Sequence, residues 1–208
     1  MTTRTLARRA ALAGVVVTVA LAVAACGGDD HSSPDAGHGT SGTGGPAVTA
    51  TGAAAFGDAD VMFAQMMVPH HRQAVEMADL AATRAADPEV KRLAVEIKAA
   101  QAPEIATMSG WLAAWGRPVP SPGGMPHMDH AMPGMMSDAD MAELGAAAGR
   151  EFDRQFLTMM IAHHEGAVTM ARDVLARGAH AEAKALAQQI ISTQQAEIDT
   201  MRKILGRF

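Results

Sequence analysis

The chain sets two imidazoles side by side behind two thioethers, and does so twice. Residues 66–71 read Met-Met-Val-Pro-His-His and residues 159–164 read Met-Met-Ile-Ala-His-His. Imidazole suits late transition metals, and thioether sulfur selects soft ions such as Cu(I) over calcium or magnesium. Each copy is followed at the same distance by a Gln and a Glu: Gln101 and Glu104, then Gln194 and Glu197. A carboxylate near a metal-binding His either ligates directly or holds the ring in place. The candidate metal ligands are therefore His70, His71, His163, His164, Glu104 and Glu197, with Met66, Met67, Met159 and Met160 beside them. Gln101 and Gln194 would stand behind that set as supporting polar groups. The competing reading is a His–Glu–Gln hydrogen-bond network that only fixes packing register, with the helical Met as adaptable core filler.

A second group of soft donors lies between the two copies. Residues 116–136 are rich in Pro and Gly and contain Met125, His127, Met128, His130, Met132, Met135 and Met136. Without a regular helix, these Met cannot form a periodic core face. The pattern resembles the Met/His motifs of bacterial copper-resistance proteins, which makes it a candidate secondary metal loop. A loop packed across the bundle ends is the alternative.

The elements that must position these groups come from an internal repeat. A shift of 93 residues lays 60–115 on 153–208 without a gap, and 23 of the 56 aligned positions are identical. Apolar residues recur at 3.6-residue spacing in each copy, which predicts a helical hairpin. The helices are expected near 59–85, 88–115, 150–177 and 180–206, with a short helix starting near Ser137. Asp58 is a candidate N-cap, and Asp87-Pro88-Glu89 reads as an N-cap followed by Pro at the first helical position. Phe63, Met67, His70, Ala74 and Met77 share one stripe, with His71 at its edge. On the second helix Leu93, Ile97, Gln101, Glu104, Met108, Trp111 and Trp115 form the core stripe. Pro69 and Pro103 precede His70 and Glu104 and should kink their helices, although Ala162 and Ala196 take their places in the second copy. The expected fold class is all-α, a four-helix bundle of two repeated hairpins whose core gathers His70, Glu104, His163 and Glu197, with His71 and His164 at its edge.

The N-terminus reads as an address. Residues 1–25 carry Arg4, Arg8 and Arg9 and then an apolar run shorter than the roughly 20 residues a membrane span needs, the pattern of a signal peptide. The run ends Val23-Ala24-Ala25-Cys26, which resembles a bacterial lipobox and implies a lipid on Cys26, the single Cys. Residues 26–56 would follow as lipidated Cys and linker, including the solvated His31 and His38. The organisation is thus signal peptide 1–25, linker 26–56 and a duplicated domain 57–208: repeat 57–115, loop 116–136, repeat 150–208.

Composition excludes several classes. Formal charge is −5; removing three Arg from the 17 Lys and Arg, against 22 Asp and Glu, leaves −8 for the remainder. That balance and the scarcity of aromatics argue against nucleic-acid binding. One Cys cannot build a disulfide framework or a thiolate cluster.

The doubled Met-Met-x-x-His-His helix, each followed by Gln-x-x-Glu-Ile-x-x-Met, resembles the family called domain of unknown function 305, over about residues 57–208. The resemblance implies a ferritin-like four-helix bundle in a secreted or envelope protein, with His70, His71, His163 and His164 as the family's paired histidines. Some similar proteins are linked to extracytoplasmic copper binding. The chain departs from di-iron bundles, where Glu-x-x-His supplies ligands: Met67 and Met160 stand three residues before His70 and His163. The leading expectation is a lipid-anchored copper-binding protein on the outer face of the bacterial cytoplasmic membrane, handling copper, or another transition metal, alongside other envelope proteins. A ferritin-like metal-dependent oxidase and a metal-free envelope interaction module are the alternatives; nothing in the sequence supplies a substrate pocket for an enzyme.

Overall fold

The computed structural model describes residues 55–121 and 132–208. The signal peptide, Cys26, His31, His38 and the loop residues Met125, His127, Met128 and His130 lie outside the described residues. Among the described residues there are five helices and no strand. They are α1 (Asp58–Arg84), α2 (Pro88–Ala114), α3 (Asp138–Ala146), α4 (Gly149–Arg177) and α5 (Ala181–Leu205). No described helix is long and apolar enough to cross a membrane.

Local chemistry sets the helix ends. Asp87 caps α2 by accepting the Glu89 amide at 2.7 Å, with Pro88 at the first helical position. Ser137 and Asp140 form a reciprocal capping box at the start of α3. His180, at the position matching Asp87, caps α5 through Nδ1, which accepts the Ala183 amide at 3.1 Å. Helices α1 and α2 continue unbroken through Pro69 and Pro103.

Each repeat folds back on itself, α1 against α2 and α4 against α5. The hairpins meet through α1 and α4, while α2 and α5 barely touch. The shared interface is thus one antiparallel helix pair flanked on its outer sides. Two apolar clusters occupy its ends. One includes Met77, Leu93, Ile97, Phe152, Phe156, Met160 and Ile198; the other includes Phe63, Met67, Met108, Leu112, Met170 and Ile190. Burying side chains of this size contributes about 2 kcal/mol each. Met67, Met77, Met108, Met160 and Met201 are fully buried, so these thioethers do serve the core. Leu112 is buried on α2, whereas Trp111 and Trp115 are only partly covered. The two indoles instead meet the His180 ring edge-on, and Trp115 stacks on Phe56.

A buried carboxylate ties each repeat to the other. Asp60 Oδ2 accepts the amides of Gly57 at 2.8 Å, Ala179 at 2.9 Å and His180 at 3.1 Å. Its repeat equivalent, Asp153, accepts those of Ala86 at 3.1 Å and Asp87 at 2.9 Å. Each repeat therefore supplies the acceptor for the other repeat's hairpin turn.

Candidate metal centre

The polar layer lies between the two apolar clusters, midway along α1 and α4. His70, His71, His163 and His164 are all completely buried. His71 and His164 are therefore not at the edge of the core, as the helical stripe predicts; the neighbouring hairpin covers the side of α1 and α4 that a single helix would leave open. His70 and His163, which match across the repeat, meet face to face, with ring centroids 3.6 Å apart and planes tilted by 33°. Only residues on the approximate two-fold axis can meet their own repeat equivalents in this way.

The two Glu do not join that central pair. Glu104 Oε2 accepts from His71 Nε2 at 2.7 Å, and Glu197 Oε2 accepts from His164 Nε2 at 2.7 Å. Each carboxylate orients the second histidine of its own hairpin, because α2 and α5 lie on opposite outer sides and barely meet. Gln101 and Gln194 are buried, but neither makes a protein hydrogen bond to a histidine: both amide atoms of Gln101 and Oε1 of Gln194 lack a partner.

These bonds set the ring tautomers. A carbonyl only accepts, so His70 Nε2, 3.1 Å from Pro133 O, carries the proton. The Nε2 atoms of His71 and His164 likewise donate to their Glu. In the neutral rings this leaves Nδ1 of His70, His71 and His164 as a lone pair, and all three are buried without a hydrogen-bond partner. Neither nitrogen of His163 has a partner. Burial and the neighbouring His71 push the His70 pKa down to about 3. Burial, then His70, holds His163 well below the usual imidazole range. Both rings are thus neutral at ordinary pH, the form that binds metal.

From Met132 onward the chain crosses this layer. Met132 is buried, and Met136 packs against the apolar cluster at the α2 N-terminal end. Met132 and Met136 therefore have a packing environment, and the segment crosses the middle of the helix pair rather than its ends. Gln73 grips Met136 from α1: its Nε2 donates to Met136 O and its Oε1 accepts from Met136 N, both at 2.8 Å. At the matching position on α4 stands Gly166, where a Cβ would collide with the Pro133 carbonyl. Gly134 has φ 76°, and a Cβ there would meet the backbone of Ala162 and His163. One repeat holds the segment and the other makes room for it.

Of the predicted Met ligands, Met67 and Met160 are buried one helical turn before the histidines. Met66 and Met159 are partly buried and face the two ends of the α1–α4 interface. Among the described residues no three His, Cys, Asp or Glu side chains form a ready cation cage. The donors at this layer are buried imidazole lone pairs with thioethers nearby, a set that fits a soft ion of low coordination better than an oxygen-seeking one. The roles of Asp60, Asp153, Gln73 and Gly166 are absent from the sequence reading. Identity of Asp60 and Asp153 across the repeat, at a buried helix start, was the available signal.

The sequence profile of the family described as domain of unknown function (DUF305) matches residues 60–205. The chain belongs to this family. A solved DUF305 protein from Streptomyces coelicolor is 39% identical, with TM-score 0.65, covering 72% of this chain and 93% of that one. A DUF305 fragment from Deinococcus radiodurans is 38% identical, with TM-score 0.65, covering 73% and 98%. CopM in its Cu(II)-bound form is 37% identical, with TM-score 0.62, covering 71% and 96%. CopM has also been solved in Cu(I)-bound and Ag-bound forms. No curated protein matches the chain.

Proposed function

We propose that this protein binds copper outside the cytoplasm and buffers or delivers it, tethered to the membrane by a lipid on Cys26. The observation that carries this reading is the layer of four buried imidazoles whose Nδ1 atoms lack protein partners. Leaving several polar nitrogens unsatisfied in a dry core costs about 1–3 kcal/mol each, and a metal ion would recover that cost. Glu104, Glu197 and Pro133 would keep the rings turned so that Nδ1 is the free atom. The copper- and silver-bound forms of CopM support a soft metal as the ligand class. The Streptomyces coelicolor relative, described as a secreted protein, supports the extracytoplasmic placement.

The test is metal content of the full chain purified after copper exposure, compared with H70Q/H163Q. The wild type should retain copper that the variant loses, with melting curves confirming that both are folded. Equal copper in the two proteins would sink the proposal. Replacing Cys26 by Ser should move the protein from the membrane fraction to the soluble one.

A further inference from the structure

The approximate two-fold axis creates two equivalent grooves along the α1–α4 pair, and the described residues fill only one. At the α1 C-terminal end, α3 covers the groove. Leu144 is completely buried there, and Met141, Leu80 and Met159 pack against the same cluster. At the α1 N-terminal end, the matching groove remains a pocket of about 320 Å³. Met62, Met66 and Met170 line it, with Pro133 and the Asp173–Arg177 ion pair.

Met66 and Met170 also pack in the neighbouring apolar cluster, but Met62 does not. Met62 is 50% exposed, and its repeat equivalent is the polar Gln155, which binds Glu143 of α3. Met62 and Met66 are four residues apart on one helix, so their side chains share a face. Met170 approaches from α4. Three thioethers thus border one pocket, whereas Met67, Met77, Met108 and Met160 are completely buried. Pro133 forms part of the same wall, and its carbonyl receives the His70 Nε2 proton at 3.1 Å.

We propose that Met62, Met66 and Met170 form a surface site for a soft monovalent ion, Cu(I), separate from the histidine layer and separated from it by Pro133. Thioether sulfur is a ligand that discriminates for Cu(I) without losing a proton. The site serves as the loading point for the buried layer. Only this onward transfer rests on the copper reading above; binding at the three sulfurs does not.

The experiment uses the full chain labelled with methyl-13C methionine and titrated without oxygen with Cu(I) supplied as its acetonitrile complex. The Met62, Met66 and Met170 methyl signals should shift together. The same three shifts should persist in H70Q/H163Q, and M62Q/M66L/M170L should bind one ion fewer per chain. The latter variant conserves volume at its two covered positions and adopts the repeat's own residue at the exposed one. If the three signals stay fixed while copper still binds, the surface site is wrong and the histidine reading stands. If they shift but H70Q/H163Q binds as many ions as the wild type, the surface site stands and the buried one fails.

Discussion

His70 holds its proton on Nε2 because Pro133 offers only a lone pair, and His71 and His164 do the same because each faces a carboxylate. The free atom of each ring is therefore Nδ1. The same burial that readies these nitrogens for metal makes the metal-free fold sensitive to acid. In the unfolded chain His70 and His163 titrate near about 6.5; in the fold His70 stays neutral down to about 3 and His163 well below the usual range. Between those limits the unfolded state binds more protons, so stability is fully present above about pH 6.5 and falls as pH drops. Each of the two histidines should remove roughly 1 kcal/mol per pH unit. Denaturant melts of metal-free protein at pH 7 and 5 should show this loss, with a smaller slope in H163Q. The same stability at both pH values would contradict it. The paired His–Glu chemistry was legible in the spacing, but the partner assignment was not. A stripe on one helix shows which residues face inward, and only the packing of the hairpins shows that Glu104 meets His71 rather than His70.

At the scale of elements, the segment between the repeats is held by an asymmetry in an otherwise symmetric frame. Gln73 donates to and accepts from Met136, and its repeat equivalent Gly166 leaves space for Pro133. Ordinarily Gly to Ala inside a helix stabilises by about 1 kcal/mol. Here the new Cβ would strike the Pro133 carbonyl, so G166A should destabilise by about 1–3 kcal/mol and release the His70 Nε2 proton to exchange. Thermal melting and imidazole proton exchange would register both. A stabilised G166A would show that the segment does not lie on α4. The helices themselves lie within about two residues of where periodicity and capping residues put them, because those signals are local. The path of residues 132–136 was not legible, since Pro and Gly mark a departure from helix without saying where the chain goes next.

Across the whole molecule, the 93-residue repeat becomes an exchange of parts. Asp60 serves the turn before α5 and Asp153 serves the turn before α2. Removing either carboxylate leaves two or more amides without their charged acceptor. D60A and D153A should therefore each cost about 2–4 kcal/mol. Because the two clasps share no partner, the double variant should lose close to the sum. Denaturant titration checks this, and a double variant no worse than one single variant would break the reciprocal account. The repeat was plain in the sequence; its crosswise wiring appeared only when the hairpins were assembled, because it joins residues 119 and 120 positions apart. The same assembly brings His70 onto His163 and defines the central claim, that copper binds through Nδ1 of the buried histidines. Long-range proton–nitrogen NMR of the imidazoles tests it most directly. Before metal, His70, His71 and His164 should show protonated Nε2 and bare Nδ1; on adding Cu(I), Nδ1 resonances should shift while the Nε2 protons remain. Unmoved Nδ1 resonances in copper-loaded protein, or loss of the Nε2 protons on loading, would contradict the account.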